Sequence, residues 1–451
     1  MQVENNKIAI LQPISLSGLL RTLYTKVTAQ KFFRDVGILT FAGVFGAALS
    51  VGQGILVARW LQPELFGLAA LVMSYPSLVY TFFDARSRDA SVKYLSESHT
   101  RSERERVLAI CKFGYVLDFV IASVAFMVVL FTAQWAAVNI ARDPEVANLM
   151  VVSAASFIPS ALTGTSQAAL ASFGRFDIIG WTDVLTKVFR VALVLGLVFI
   201  GFGVKGVVWG NAIAVMVTGF LQGIIASVLI YRMYGASPLH GRWQALKGQR
   251  REMFRFLAYS DLSALIAMIP RELDILVLGY LRGPMEMSYY KLAKSLANMT
   301  EYLAAPLRSV VYPEMAKLWG TGEKNIFRRR VRNLALRIGL PLGLGNLMII
   351  VLVPFVLPAL VGSAYRTAIF ATQILLIASS LGLALFWLRP FFFVQGRFRH
   401  WFLSSGLLTI LFAVIYPFIV VRFGYLGAAI WYLTLWISAC AVALFFVRRD
   451  I

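Results

Sequence analysis

Cysteine and histidine are scarce in this sequence, with two cysteines and three histidines among 451 residues. Cys111 and Cys440 both fall inside apolar stretches, and no predicted outward loop carries a thiol, so no disulfide is expected. His99, His240 and His400 lie in separate polar segments, and no His/Cys group has the spacing of a metal site. The sequence therefore predicts a protein without a metal or another cofactor.

Enzyme motifs are missing as well. No glycine-rich loop followed by Lys-Ser or Lys-Thr is present, which argues against direct ATP hydrolysis. The longest predicted outward loop, 133–146, offers Arg142, Asp143 and Glu145 as its charged groups. A membrane polymerase, ligase or glycosyltransferase would be expected to hold acid and base groups in such a loop. We therefore predict no enzyme and no catalytic residue, although chemistry on the cytoplasmic side stays open.

Apolar residues are what the sequence has in excess. They make up 59% of the chain, against 14% charged residues, with a mean hydropathy of +0.74, and these values indicate an integral membrane protein. Each span needs about 20 mainly apolar residues and must satisfy its backbone polar groups internally, so we predict membrane-spanning helices. The twelve predicted spans are 36–58, 64–83, 107–132, 147–171, 184–201, 206–230, 254–280, 287–312, 335–360, 367–388, 401–421 and 425–447.

Positive charge is in excess and is placed asymmetrically. The formal net charge is +21, from 43 Lys and Arg against 22 Asp and Glu. Basic residues concentrate in the connections after spans 2, 6 and 8, whereas the odd-numbered connections carry few. By the positive-inside rule, both termini and the even-numbered connections are predicted to be cytoplasmic. Tracts such as Arg328-Arg329-Arg330 suit anionic lipid headgroups, and we expect no nucleic-acid partner.

Three short patterns recur in the same order about 220–222 residues later. The pairs are LVARWLQPE at 56–64 with LVLGYLRGPME at 276–286, FGRF at 173–176 with QGRF at 395–398, and GVKGV at 203–207 with GYLGA at 424–428. Recurrence of this kind indicates an internal duplication. Six helices per repeat return the chain to the side that it entered from, so the repeats are parallel and a site between them is expected.

The duplication and the basic segment after span 6 predict the domain organisation. We expect a cytoplasmic amphipathic segment at 1–34, an N-lobe with spans 1–6 at 35–230, a cytoplasmic linker at 231–253 and a C-lobe with spans 7–12 at 254–451. The predicted fold class is therefore an all-α membrane protein with two parallel six-helix lobes around a central cavity.

Charged residues at membrane depth indicate function, because an ionised side chain is costly there. Span 8 carries Lys291, Lys294, Asn298, Glu301, Arg308 and Tyr312, with Ala305 between Glu301 and Arg308, at alternating three- and four-residue spacing, which places them on one helical face. A span that is polar on one face must turn that face to a bundle interior or to a water-filled cavity. We therefore predict a polar stripe that lines a cavity.

Span 7 adds Asp261, Arg271 and Asp274 to this region. An alternative is that these groups lock spans 7 and 8 together, with Asp274 paired to a lysine of span 8 and Arg271 paired to Glu301. Pairing and cavity lining are compatible, since the cations outnumber the acids.

The first half also places charges inside predicted spans, with Asp118 half-way along span 3 and Arg190 in span 5. Lys187, one turn before Arg190, can instead snorkel to the interface. The predicted substrate-binding residues are Arg190, Arg271, Lys291, Lys294 and Arg308. The predicted ion-coupling or charge-pairing residues are Asp118, Asp261, Asp274 and Glu301.

Four segments carry a resemblance to a known family. They are ARWLQPELFG at 58–67, LDILVLGYLRGP at 273–284, SYYKLAKSL at 288–296 and VVYPEMAKL at 310–318. In order and spacing they resemble the polysaccharide-type (Wzx-like) lipid-linked oligosaccharide flippases of the multidrug/oligosaccharidyl-lipid/polysaccharide (MOP) exporter superfamily. The resemblance implies a MATE-like, V-shaped pair of lobes around a cationic central cavity, and it places Lys291 and Lys294 in span 8 of that pattern.

The function that this resemblance implies is transport for polysaccharide biosynthesis. Such a flippase carries an undecaprenyl-pyrophosphate-linked oligosaccharide from the cytoplasmic to the periplasmic leaflet of the bacterial inner membrane by alternating access. The expected partners are that lipid-linked glycan, the membrane lipids and other polysaccharide assembly proteins.

Three alternatives stay open at this point. A cation-coupled drug exporter of the same superfamily would favour a cavity with net negative charge. A major-facilitator transporter also has parallel six-helix halves, but the glycines of its loop motif are absent around Asp84 and Arg88. A membrane polysaccharide polymerase or ligase is the alternative from a different class.

Overall fold

The computed structural model of this chain describes residues 16–84, 87–248, 269–301, 304–320 and 324–448, with positions 252, 253, 255, 257 and 322 between them. Within these ranges the structure is helical and contains no β-strand. The α-helices are α1 (Leu16–Phe83), α2 (Ser87–Thr100), α3 (Arg104–Ala136), α4 (Ala147–Ala155), α5 (Phe157–Ser172), α6 (Phe176–Leu197), α7 (Gly203–Tyr234), α8 (Asp274–Arg282), α9 (Pro284–Glu301), α10 (Ala304–Gly320), α11 (Lys324–Leu334), α12 (Leu340–Val361), α13 (Ile369–Ala384), α14 (Leu388–Val394), α15 (Phe398–Trp401) and α16 (Leu408–Arg448). Short π-helical turns lie at Ala137–Ala141, Val198–Phe202, Ile269–Leu273, Ala335–Gly339 and Phe402–Leu407, and 3-10 turns lie at Pro144–Val146, Pro238–His240, Trp243–Leu246 and Ser363–Ala368.

Seven helical runs among the described residues are long and apolar enough to cross a membrane. They are Gly37–Phe83, Arg104–Ala141, Pro144–Ser172, Phe176–Tyr234, Asn325–Val361, Ser363–Val394 and Ser405–Arg448. The first, fourth and last runs each contain two predicted spans, and their helical geometry breaks at Gln62, Gly201 and Gly424, close to where those spans meet. The prediction of an all-helical, multi-pass membrane protein is confirmed, and these runs are compatible with twelve spans.

The recurring patterns adopt the same backbone geometry in both halves. Gly174 and Gly396 have φ of 67° and 69°. In each half the following arginine, Arg175 or Arg397, donates its backbone N–H to the carbonyl five residues earlier, at 2.8 and 2.9 Å. This is the hydrogen bond of a Schellman helix terminus, which needs a left-handed residue such as glycine.

The other two patterns also share their geometry. Gly203 and Gly424 have φ/ψ of 53/−130° and 59/−145°. Gln62 and Gly283, which immediately precede the recurring prolines, have φ/ψ of 64/170° and 90/178°. The backbone therefore repeats at the offset that the sequence repeats, in an N-half before residue 249 and a C-half from residue 269.

Helices α1 and α6 of the N-half run side by side in the same direction. A Cβ atom at Gly180 would lie 2.5 Å from Ile38, and one at Gly46 would lie 2.4 Å from the Lys187 side chain. The absence of a side chain at both glycines permits this close approach. The contact holds the charged face of α6 against α1.

The outside of the helical runs is apolar. Phe131, Phe199, Phe355 and Phe418 are each more than 70% exposed, as expected for side chains that face lipid. The interior clusters include two that join the halves, because Ala58 packs with C-half residues and Leu71 lies in a cluster with Leu276 and Met287. The two halves therefore share an apolar core beside the turns at Gln62 and Gly283.

The first part of the predicted linker packs against the N-half. The Trp243 ring meets Phe113 edge-on at 6.5 Å, and Lys112 Nζ lies 5.4 Å from the Trp243 ring centre. A Cβ atom at Gly241 would lie 2.4 Å from the backbone of Leu108. The domain boundaries at 34, 230 and 253 stay predictions.

Candidate functional site

A cavity of about 300 Å³ lies between the two halves, bounded by α1, α6 and α7 on one side and by α9 on the other. We call it the central cavity. Its lining residues are Ser50, Val51, Gln53, Gly54, Ile55, Val57, Phe66, Ala69, Ala70, Met73, Arg190, Val207, Asn211, Lys291, Leu292, Ser295 and Leu296. Two of these carry a positive charge, and this described lining contains no carboxylate. The wall is therefore cationic, with one cation from each half.

Arg190 is the cation that α6 contributes. Its Nη2 donates to Ser50 Oγ of α1 at 2.7 Å, while its buried Nε has no hydrogen-bond partner among the described residues. Gln53 Oε1, also in the lining, is likewise buried without a described partner. Buried polar atoms are normally satisfied, so these two atoms indicate a place where a ligand or water completes the hydrogen bonding.

Lys291 is the cation that α9 contributes, and Ser295 lies one turn further along the same lining. The half-buried Lys291 makes no hydrogen bond or ion pair with any residue that the structure describes, and Glu272 is the nearby opposite charge that acts on it. Glu272 in turn lies 3.5 Å from Ser77 Oγ of α1. The Lys291 ammonium is therefore available to an anionic ligand.

Lys294 occupies different surroundings. It is 4% exposed, and its Nζ lies 2.5 Å from Asp274 Oδ2 and 2.7 Å from the carbonyl oxygen of Pro270. Tyr290 donates to the same carboxylate at 2.7 Å, and Tyr416 donates to the Asp274 carbonyl at 2.6 Å. Of the pairings that the sequence left open for Asp274, the structure makes the one with Lys294. Substrate contact by Lys294 stays a prediction.

A second cavity, of about 560 Å³, lies within the N-half, and we call it the N-half pocket. Its lining residues are Tyr80, Asp84, Arg88, Asp118, Ser160, Ala161, Thr163, Gly164, Gln167, Asp183, Thr186, Lys187, Arg190, Ala214, Val215 and Thr218. Arg190 lines both cavities. Lys187, for which snorkelling was the alternative, pairs with Asp183 at 2.7 Å and also lines this pocket.

Asp118 is one of the residues that line the N-half pocket. It is 7% exposed, and its Oδ2 accepts a hydrogen bond from Thr165 at 2.8 Å. A Cβ atom at Gly114, one turn before it, would lie 2.4 Å from the same threonine hydroxyl, so α3 and α5 pack tightly here. This packing holds the carboxylate in place, and its predicted role in ion coupling stays untested.

Several predicted site residues fall outside what the structure describes. Asp261 lies outside the described residues. Arg271, Glu301 and Arg308 belong to described helical backbone, but their side chains lie outside the description. Their predicted roles in the polar stripe of span 8 and in pairing between spans 7 and 8 stay predictions.

Some lining residues were missed in the sequence. Arg88 follows predicted span 2 and Asp183 immediately precedes predicted span 5, where charge is ordinary, and Gln167 is a single neutral polar residue inside predicted span 4, so nothing in the local pattern distinguishes them. Ser50 and Gln53 were not missed in the same sense, because with Gly43 and Gly46 they form small and polar positions at helical spacing in span 1 that predict either close helix packing or a cavity wall. Their three- and four-residue spacing was the one available signal.

At the turns predicted to be periplasmic, the two halves are joined. Arg142, a left-handed residue with φ of 57°, donates from Nη2 to the carbonyls of Tyr280 and Leu281 at 3.4 and 3.2 Å. A Cβ atom at Gly67 would lie 1.8 Å from the carbonyl oxygen of Pro284. We call these contacts the periplasmic closure. The Arg142 guanidinium contacts carbonyl groups at the end of α8, and a positive charge there interacts favourably with the negative end of the helix dipole.

Comparison with known proteins identifies the family. Residues 32–319 match the sequence profile of the family described as polysaccharide biosynthesis protein, which covers more than half of the chain. No curated protein sequence matched the chain.

Solved structures show the same fold. An inward-facing multidrug resistance MATE family transporter of the MOP superfamily superposes with a TM-score of 0.72 at 14% identity, covering 90% of this chain and 94% of that one. The lipid II flippase MurJ, inward closed, gives 0.71 at 14% identity, with 91% and 87% covered. An outward-facing MATE family transporter gives 0.57 at 14% identity, with 92% and 95% covered.

Proposed function

The chain belongs to the polysaccharide biosynthesis protein family and has the fold of MOP-superfamily transporters, and we propose that it is a lipid-linked oligosaccharide flippase. Its substrate in this proposal is an undecaprenyl-pyrophosphate-linked oligosaccharide. The protein moves it from the cytoplasmic to the periplasmic leaflet for polysaccharide biosynthesis and catalyses no covalent reaction.

The observation that carries the proposal is the cationic wall of the central cavity. Arg190 from the N-half and Lys291 from the C-half both line it, and its described lining has no carboxylate. A guanidinium and an ammonium are the two side-chain groups that bind phosphate oxygens best. A pyrophosphate held by both cations would lie at the interface of the halves, where transporters with parallel repeats bind their substrates.

The same wall argues against a drug exporter of the superfamily. Amphiphilic cationic drugs would meet Arg190 and Lys291 in a central cavity whose described lining contains no carboxylate, since Asp183 and Glu272, the acids near these two cations, lie outside that lining. Like charges in a low-dielectric site repel strongly. The MATE likeness therefore supports the fold and not that substrate class.

Alternating access fits the periplasmic closure. The halves touch at Arg142 and at Gly67 on the side predicted to be periplasmic, which is the side that an inward-facing state keeps closed. Export in this scheme requires these contacts to open after the pyrophosphate has bound. The headgroup then leaves toward the periplasm while the lipid tail stays in the membrane.

We propose the membrane potential as the driving force. Moving one or two negative charges outward across an inside-negative membrane gains roughly 2.3 kcal/mol per charge per 100 mV. The alternative is exchange of a proton or Na⁺ at one of the acids Asp118, Asp261, Asp274 and Glu301. Asp274 is the acid least suited to ion exchange, because its carboxylate already pairs with Lys294 and accepts a hydrogen bond from Tyr290.

The proposal includes the topology. The protein lies in the bacterial inner membrane with both termini in the cytoplasm, and the N-lobe at 35–230 and C-lobe at 254–451 move against each other. Its partners are the lipid-linked glycan, membrane lipids and other polysaccharide assembly proteins. A reporter fused at Arg242 reports a cytoplasmic location if the topology is right, and a periplasmic location contradicts it.

Transport by the purified protein tests the function. Proteoliposomes are loaded with fluorescently labelled undecaprenyl-pyrophosphate-linked oligosaccharide, and flipping is followed with a membrane-impermeant quencher. We expect protein-dependent flipping that accelerates under a valinomycin-imposed potential, and no protein-dependent efflux of ethidium. Ethidium efflux without lipid flipping contradicts the flippase. Flipping that ignores the potential but follows a proton or Na⁺ gradient supports ion exchange instead.

A further inference from the structure

The N-half pocket differs from the central cavity in its charge. Its described lining combines three carboxylates with three cations, whereas the described lining of the central cavity carries two cations and no carboxylate. The charged groups among the described residues of the pocket are Asp84, Asp118 and Asp183, and Arg88, Lys187 and Arg190. This described wall is formally balanced and offers no net attraction to a second anion. It suits a neutral ligand that both donates and accepts hydrogen bonds.

Polar uncharged groups complete this wall. Gln167 gives one amide hydrogen to Gln222 at 3.1 Å, which leaves its second N–H and its carbonyl oxygen for a ligand. Thr163 lines the pocket and makes no side-chain hydrogen bond to any described residue. Thr218 donates to its own helix at Ala214, at 2.7 Å, so its oxygen stays an acceptor. Such a mixture matches the alternating donors and acceptors of sugar hydroxyls.

The pocket and the central cavity meet at Arg190, which lines both. A ligand that spans them must carry an anionic group and a polyhydroxylated neutral group next to each other. The sugar 1-pyrophosphate linkage of a lipid-linked glycan has this arrangement. We propose, on the basis of the flippase function above, that the N-half pocket binds the first sugars of the glycan while Arg190 and Lys291 hold the pyrophosphate.

The location of the pocket agrees with loading from the cytoplasm. Asp84 and Arg88 follow the end of predicted span 2, and Asp183 lies early in α6, both on the predicted cytoplasmic side. Its volume of about 560 Å³ lies within the range of ordinary small-ligand sites. In the C-half, the Lys294–Asp274 ion pair is not open to a ligand in this way, because it is buried and its carboxylate accepts a hydrogen bond from Tyr290. The described polar groups that are available to a sugar therefore lie in the N-half pocket.

Binding to two lipids that differ only in the sugar tests this assignment. The full-length protein in nanodiscs is titrated by microscale thermophoresis with undecaprenyl pyrophosphate and with undecaprenyl pyrophosphate bearing glucose, galactose or N-acetylglucosamine. We expect at least one sugar-bearing lipid to bind more tightly than the bare lipid. Each neutral hydrogen bond contributes roughly a three- to tenfold gain in affinity.

Variants of the pocket give the decisive comparison. Thr163→Val with Gln167→Leu should remove the sugar preference and leave the affinity for undecaprenyl pyrophosphate unchanged. Thr434→Val, at an exposed position of α16, is the matched control and should keep the preference. The assignment is overturned if the wild type binds all of these lipids equally, or if the pocket variant weakens the bare lipid as much as the sugar-bearing one. Failure of the wild type to bind any of the lipids would instead refute the flippase proposal.

Discussion

Lys291 and Lys294 lie three residues apart on α9, yet their ammonium groups have different surroundings. Lys291 lines the central cavity, without a hydrogen bond or ion pair to a described residue. Lys294 is 4% exposed and lies 2.5 Å from the Asp274 carboxylate. One lysine is therefore available to substrate, and the other holds α9 to the start of α8. Substitutions at the two positions should have separable effects.

Lys294→Gln should destabilise the protein, because it leaves the Asp274 carboxylate buried without its counter-charge. Breaking a buried ion pair at one partner costs about 3–5 kcal/mol. The midpoint of thermal unfolding, followed by size-exclusion chromatography of heated detergent-purified protein, should fall by several degrees. Lys291→Gln is the matched control on the same helix and should leave the midpoint close to that of the wild type. Equal midpoints for both variants would show that the Lys294 pair is not a structural contact.

Arg142→Ala should weaken the periplasmic closure. It removes the guanidinium from the carbonyls of Tyr280 and Leu281, and with it the favourable interaction at the C-terminus of α8. Spin labels placed on the periplasmic ends of the two halves should report a larger share of long distances by pulsed electron–electron double resonance. Lys205→Gln, an exposed cation on a predicted periplasmic turn, serves as the control. An unchanged distance distribution in Arg142→Ala would remove this residue from the closure.

Gly67→Ala should open the same side by a different route. An added Cβ atom would lie 1.8 Å from the Pro284 carbonyl oxygen, so the helices must separate. Gly43→Ala lies in the span that precedes the break at Gln62, and its Cβ atom would meet nothing within 4 Å, so it should gain helix propensity without moving the halves. Reaction of a periplasmic-end cysteine with an impermeant maleimide measures the opening. Faster labelling in both variants would mean that the added helix propensity, and not the contact with Pro284, causes the opening.

Much of the fold could be predicted because its causes are local. Apolar length determines the spans, and the positive φ values at Gly174, Gly203 and their partners in the second half follow from glycines that the sequence repeats. Gln62 shows the limit of this reasoning. Gln62 adopts a positive φ, as Gly283 does, although it is not a glycine. The residue type alone therefore does not predict the turn at Gln62.

The candidate site was less predictable, because it depends on how helices face each other. Spacing places Lys291 and Lys294 on one face, about 60° apart at 3.6 residues per turn. That rotation is enough to direct one toward the other half and the other into its own half. Gln167 and Asp183 join the wall of the N-half pocket only through the packing of α5, α6 and α7, which no local pattern records.

Transport by a cavity variant tests the central claim most directly. The double variant Arg190→Gln with Lys291→Gln keeps polar side chains but removes both positive charges from the described lining of the central cavity. Each hydrogen bond to a charged group is worth about 1.5–3 kcal/mol, so we expect flipping of the lipid-linked oligosaccharide in proteoliposomes to fall at least roughly a hundredfold. The variant should retain the wild-type unfolding midpoint. Flipping at the wild-type rate by this folded double variant would contradict the account.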